Sequence, residues 1–219
     1  MSIVQETMSR LKEAYIIPVI RTEKYEDAHT AIRELKDVGY KTIEITLTTP
    51  EAIRLIQYWV NDNFLLVGAG TVTNLDEARQ CIDAGVKYIV SPCYVEGLAE
   101  LCLQKDVVSI MSGLTPSEVL KSWNEGSNVV KVFPASSIGG ASHIKSLKSV
   151  FPDILLLPTG GVNLDNIISY LDAGADFIGT GSDLVDLKLL NSGNLSEFRQ
   201  KAIHYKEIVE NHLAEVYQK

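Results

Sequence analysis

Short apolar runs alternate with longer amphipathic stretches eight times along this chain, and no other feature narrows its fold as far. The runs fall at residues 16–20, 41–47, 64–69, 88–91, 107–111, 128–134, 154–157 and 176–179. Helical spacing fills the intervals at 25–38, 49–59, 74–84, 95–104, 115–124, 141–150 and 163–173. A further helix leads the chain at 4–13, a short one begins at Ser182, and a long charged one covers 195–217. Eight strands, each followed by a helix, predict one closed (β/α)8 TIM barrel over residues 1–219, with an extra N-terminal helix and a long C-terminal one. An open doubly wound sheet would need fewer strands and a glycine-rich first loop, whereas the first loop here is Arg21-Thr22-Glu23-Lys24. Thr49-Pro50 and Thr115-Pro116 both read as a helix N-cap followed by proline at the first helical position. Val38-Gly39-Tyr40, Ala84-Gly85-Val86 and Ala173-Gly174-Ala175 repeat one form, a helix ended by glycine just before a strand.

At 219 residues the chain can bury a large core. Its net charge of −8, with no basic cluster, argues against nucleic acid and against a polybasic membrane contact. No segment has the apolar length of a membrane span, and residues 1–13 lack the apolar core of a signal peptide. Cys81, Cys93 and Cys102 form no CxxC pair and leave an odd count, which fits reduced thiols in the cytoplasm. The four histidines are scattered, so a histidine metal cluster has little support.

One strand carries a chemical anomaly. Asn128-Val129-Val130-Lys131-Val132-Phe133-Pro134 is apolar on both sides, as buried parallel strands are, yet holds a lysine at its centre. A buried ammonium must be paired or shed its proton, and an unprotonated lysine amine can attack a ketone or aldehyde to form a Schiff base. The plainer alternative is a structural ion pair or a strand-end lysine reaching solvent. Glu44, within the second strand, poses the same question: a carboxylate there is the structural partner of Lys131, or a general acid/base beside it.

Active sites of (β/α)8 barrels lie at the C-terminal ends of the strands. Thr71, Pro92 and Thr159 fall there, as do the turns Gly160-Gly161 and Gly179-Thr180-Gly181-Ser182 after the seventh and eighth strands. Barrels commonly bind phosphate at those two turns, through exposed N–H groups and close backbone approach at glycine. Tight turns need glycine too, and Ser182 could be no more than a helix cap. Cys93 lies near the site without a histidine beside it, while Cys81 and Cys102 read as packing residues.

Taken in order, Ile17-Pro18-Val19-Ile20-Arg21, Ile43-Glu44-Ile45-Thr46-Leu47, Val67-Gly68-Ala69-Gly70-Thr71-Val72, Ser91-Pro92, Lys131-Val132-Phe133-Pro134-Ala135 and Pro158-Thr159-Gly160-Gly161 resemble the class I aldolases that cleave 2-keto-3-deoxy-6-phosphogluconate and 2-keto-4-hydroxyglutarate. The resemblance spans nearly the whole chain. It implies Lys131 as Schiff-base lysine and Glu44 as general acid/base. It further implies Arg21, Thr71, Pro92 and Thr159 as substrate contacts, and Gly160, Gly161, Gly181 and Ser182 as the phosphate site. The implied substrate is a small phosphorylated keto-acid, with no cofactor or metal, in a homotrimer. The stretch Thr46-Leu47-Thr48-Thr49 departs from the family's frequent Thr-Leu-Arg-Thr, so Thr48 stands where a bidentate arginine is common. A related class acting on the phosphogalactonate epimer lacks that arginine as well. Two other readings use the same turns: an isomerase or synthase of another phosphate-binding barrel, and a non-catalytic sugar-phosphate-binding barrel.

Overall fold

The first seven strands pair in parallel with their neighbours in sequence, and the eighth returns to pair with the first. In the computed structural model, which describes residues 1–217, the strands are β1 (Ile16–Ile20), β2 (Thr42–Thr46), β3 (Leu66–Gly70), β4 (Tyr88–Val90), β5 (Val108–Ser112), β6 (Val129–Val132), β7 (Leu156–Pro158) and β8 (Ile178–Thr180). The helices are α1 (Ile3–Ala14), α2 (Tyr25–Asp37), α3 (Ala52–Trp59), α4 (Leu75–Asp83), α5 (Leu98–Gln104), α6 (Pro116–Asn124), α7 (Gly140–Val150), α8 (Ile167–Asp172), α9 (Leu187–Asn191) and α10 (Leu195–Tyr217). This is the (β/α)8 barrel that the alternation predicts.

The β7–β8 seam closes the ring with the least backbone pairing. A single bridge joins Thr159 to Gly179, and the N–H groups of Asp176 and Phe177 share the carbonyl of Leu156. Side chains reinforce it: Asp176 Oδ2 accepts from the N–H of Leu156 at 2.8 Å and pairs with Lys148 Nζ at 2.7 Å.

Two apolar cores result from the period-two alternation of the strands. The larger lies between the strands and the outer helices. The smaller fills the barrel itself with Ile17, Leu66, Tyr88, Val90, Val108, Ile110, Val129, Leu157 and Phe177. The leading helix α1 belongs to this inner core. Its Leu11 is fully buried there, with Val4 and Met8 packed alongside, so α1 stoppers the N-terminal end of the barrel. Truncating Leu11 to alanine would cost about 2–5 kcal/mol, as for other buried leucines. The interior is thus filled from below, and only the C-terminal end is left for chemistry.

The repeated Gly39, Gly85 and Gly174 turns are one structural device. Each glycine is left-handed, with φ of 89°, 100° and 93°. Each is enclosed by crossed hydrogen bonds, such as Gly39 N–H to Lys36 O and Tyr40 N–H to Leu35 O, which form a Schellman cap. Gly126 makes a fourth.

Four predicted helix starts shift, one of them from Val95 to Leu98. Thr115 does cap α6, in a reciprocal box with Glu118. Thr49 does not cap α3: its N–H bonds to Thr46 O, its Oγ1 donates to Ile20 O, and the helix begins at Ala52 after a left-handed Glu51. A residue before proline resists helical geometry, and here its hydroxyl serves the barrel instead. Asn163 starts a turn in which its Oδ1 accepts from Asp165 and Asn166, so α8 begins only at Ile167. Ser182 lies in a turn closed by Val185 N–H to Gly181 O, and Asp186 caps α9. Among the described residues no helix is long and apolar enough to cross a membrane.

Candidate active site

Lys131 and Glu44 point into the barrel from opposite walls, β6 and β2, and meet near its axis. Lys131 Nζ lies 3.7 Å from Glu44 Oε1, and their side chains are 6% and 1% exposed. That is an ion-pair distance, too long for a hydrogen bond. Neither carboxylate oxygen of Glu44 has any other hydrogen-bond partner among the described residues. Burial pushes the Glu44 carboxyl above its ordinary range; nearby Lys131 and Arg21 pull it back without cancelling the effect.

Inward-facing glycines make room for these groups. A Cβ on Gly70 would lie 2.0 Å from Glu44 Oε1, so the carboxylate occupies the space that β3 leaves empty. Gly68, one inward step lower, yields in the same way to the ring of Tyr88, whose hydroxyl donates to Thr42 Oγ1 at 2.9 Å. Tyr88 and Thr42 form the floor beneath the ion pair. Gly179 on β8 yields to Thr159, whose Oγ1 is buried and unpaired among the described residues.

Above the pair opens a cavity of about 750 Å³. Arg21, Thr71, Pro92, Lys131, Thr159, Gly160, Gly161, Gly181 and Ser182 all line it, so nine of the ten candidate residues share one chamber. The tenth, Glu44, lies just below, against Lys131. Arg21 Nη2 donates to Thr71 Oγ1 at 3.2 Å, tying the β1 and β3 ends together. Gly160 and Gly161 are left-handed, with φ of 92° and 76°. Their carbonyls are held by Ser136 N–H and Asn166 Nδ2, while their N–H groups have no protein partner among the described residues. A turn with its carbonyls engaged and its N–H groups free is suited to an anion.

The chamber also holds residues that the sequence reading passed over: Phe133, Glu23, Asp183, Asp186 and Lys188. Phe133 follows Val129 and Lys131 on the inward alternation, a signal available in the sequence; its ring centroid is 5.3 Å from Lys131 Nζ. The others lie on loops or the short α9, where no periodicity marks them. Thr48 is exposed, is not among the residues lining the cavity, and its hydroxyl is bonded to Thr46 Oγ1 at 2.9 Å. Cys81 and Cys102 are buried on helices, and burial pushes both thiols up to about 12.

A barrel stoppered at one end, with a lysine and a carboxylate at the base of an anion-suited chamber at the other, is built for covalent carbonyl chemistry by an enzyme. The family model for KDPG and KHG aldolase matches residues 7–201. A 2-dehydro-3-deoxy-phosphogluconate aldolase of Dickeya dadantii is 34% identical over 82% of this chain and 84% of its own. A probable 2-dehydro-3-deoxy-6-phosphogalactonate aldolase of Rhizobium meliloti is 31% identical over 87% and 89%. The crystal structure of KDPG aldolase from Legionella pneumophila, with pyruvate captured at low pH as a covalent carbinolamine intermediate, superposes with a TM-score of 0.82. It is 29% identical over 90% of this chain and 96% of that one. The chain belongs to the KDPG and KHG aldolase family, and is an aldolase of the lyase class.

Proposed function

We propose that this protein is a Schiff-base aldolase that reversibly cleaves 2-keto-3-deoxy-6-phosphogluconate into pyruvate and glyceraldehyde 3-phosphate. The observation that carries the reading is the Lys131–Glu44 pair, buried on opposite walls at the base of the chamber and, among the described residues, free of hydrogen-bond partners on its carboxylate side. The Lys131 amine adds to the C2 ketone, and loss of water gives an iminium that accepts electrons. Glu44 assists that dehydration and takes the C4 hydroxyl proton as the C3–C4 bond breaks. The aldehyde leaves, the enamine is protonated at C3, and hydrolysis returns pyruvate and the free amine. Thr159 and Thr71, with Arg21 behind it, hold the carboxylate end beside Pro92. The N–H groups of Gly160 and Gly161, with Gly181 and Ser182, take the phosphate.

The whole chain acts as one catalytic domain, assembled as a homotrimer in the cytoplasm. The likeness to the probable phosphogalactonate aldolase of Rhizobium meliloti supports a second reading, in which the phosphogalactonate epimer is the better substrate; 2-keto-4-hydroxyglutarate is the unphosphorylated alternative. The test is a retro-aldol assay with both epimers and with 2-keto-4-hydroxyglutarate, following pyruvate release. Pyruvate from the gluconate-series substrate supports the proposal. No pyruvate from any of the three would refute it.

A further inference from the structure

The turn after β8 that carries Ser182 also brings two carboxylates, Asp183 and Asp186, to the wall of the cavity. Uncompensated negative charge there would repel an anionic group at Ser182. Lys188 lines the same wall, and further compensation comes from α10. Lys201 and Tyr205 stand one helical turn apart on the face that α10 turns toward this loop. Lys201 Nζ bridges the two carboxylates, 3.4 Å from Asp183 Oδ1 and 3.4 Å from Asp186 Oδ2. The hydroxyl of Tyr205 donates to the other oxygen of Asp183. Asp186 uses its remaining oxygen to cap α9, accepting from Lys188 N–H at 2.9 Å and from Leu189 N–H at 3.4 Å. The side chains of Lys201, Asp183 and Asp186 are each less than two-fifths exposed, and Tyr205 is fully buried. Solvent therefore screens this network less than it would an ordinary surface pair.

We infer that Lys201 and Tyr205 are positioning residues for the anion end of the substrate: from outside the cavity they fix the Ser182 turn and offset part of the charge of its two carboxylates. Neither touches the cavity. Their effect reaches the substrate through Asp183 and Asp186, so it is specific to the phosphorylated end and leaves the Lys131 chemistry alone. Burial, followed by the bond to Asp183, pushes the Tyr205 phenol well above its ordinary value, so it stays a donor at any working pH. The inference rests on the proposed placement of phosphate at Ser182.

The test compares wild type with Lys201→Met, Lys201→Arg and Tyr205→Phe. The readouts are kcat and KM for 2-keto-3-deoxy-6-phosphogluconate and for its unphosphorylated analogue, and the inhibition constant of inorganic phosphate. Lys201→Met is expected to raise KM for the phosphorylated substrate and the phosphate inhibition constant together, by about tenfold. Both kcat and the analogue's KM should stay within about twofold, and Lys201→Arg should restore most of the loss. Tyr205→Phe keeps the buried ring and should move the same two constants in the same direction by a smaller factor. It supplies the readout should the Lys201→Met protein fail to fold. Phosphate that competes with wild type but inhibits both folded variants equally well overturns the inference and spares the proposed function. Equal losses on both substrates mark a merely structural role and also overturn it. Phosphate that fails to compete with wild type removes the phosphate placement itself, and the inference with it.

Discussion

Lys131 Nζ stands 3.7 Å from Glu44 Oε1, and among the described residues the Glu44 carboxylate has no hydrogen bond to hold it there. A buried carboxylate without donors is held by charge and by shape alone. The shape is Gly70, which leaves the space that Glu44 fills. The pair is a poor device for stability and a good one for moving a proton.

Replacing Glu44 with glutamine keeps the shape and removes the proposed base. Turnover should fall by about 10²–10⁴-fold, as is usual when a general acid/base is lost. Stability should move the other way, and with pH. The folded carboxyl titrates above its ordinary value of 4.5, so between the two values the folded state binds more protons than the unfolded. Wild-type stability therefore declines as pH rises through that window and levels off above the folded value. Glu44→Gln lacks that decline. Thermal melts of both proteins from pH 4 upward should diverge in its favour; parallel curves would mean that burial does not shift Glu44.

Gly70→Ala tests the shape. The new Cβ would lie 2.0 Å from Glu44 Oε1, so the carboxylate must move. A destabilisation of about 1–3 kcal/mol is expected from overpacking. Turnover should fall toward that of Glu44→Gln, because the displaced carboxylate no longer reaches the reacting oxygen. Chemical denaturation and steady-state kinetics on the same preparation check both halves; unchanged kcat would show that Glu44 works from elsewhere.

The proposed phosphate site is best probed at Ser182. Valine at Gly161 would place a Cβ 1.9 Å from Ser136 Oγ at a φ of +76°, so it would wreck the turn rather than report on phosphate. Ser182→Ala removes one hydroxyl from an exposed turn residue. It should lower kcat/KM for the phosphorylated substrate by about 10–100-fold, the worth of a hydrogen bond to a charged group, and spare the unphosphorylated analogue. Equal kcat/KM for the mutant and wild type on the phosphorylated substrate would put the phosphate elsewhere.

Much of this site was legible in the sequence because strand alternation is rigid. A lysine amid Val129, Val130 and Val132, and a glutamate between Ile43 and Ile45, must face the lumen if the isoleucines and Val130 face the helices. Strand ends then gather Thr71, Pro92, Thr159 and the glycine turns. What alternation does not fix, the sequence did not show. Thr49 and Ser182 look like helix caps, but one hydroxyl serves Ile20 O and the other sits in a closed turn. Gly68, Gly70 and Gly179 are inward positions, yet what each yields to depends on the neighbouring strand. Lys201 and Tyr205 reach the Ser182 turn only because α10 packs against α9, and no periodicity of the helix marks that contact.

Position 48 shows the same limit. Thr48 stands where an arginine would be, but its hydroxyl is bonded to Thr46 and its side chain is off the cavity. Thr48→Ala should leave the ratio of kcat/KM for the gluconate- and galactonate-series epimers within about twofold of wild type. Wild type itself should discriminate weakly, within about tenfold or roughly 1.4 kcal/mol. Arg21 is the arginine that does line the chamber. Arg21→Lys, which cannot make two parallel bonds, should raise KM for both epimers by about tenfold or more. A thousandfold wild-type preference would contradict that weak discrimination.

The central claim is that Lys131 forms the covalent bond. The direct measurement is borohydride reduction in the presence of pyruvate, followed by peptide mass mapping. The account predicts a reduced pyruvyl adduct on Lys131 of the wild type. It predicts no adduct at that position in Lys131→Arg, whose guanidinium does not give up its proton usefully. An adduct confined to a different lysine, or none on folded wild-type protein, would contradict it.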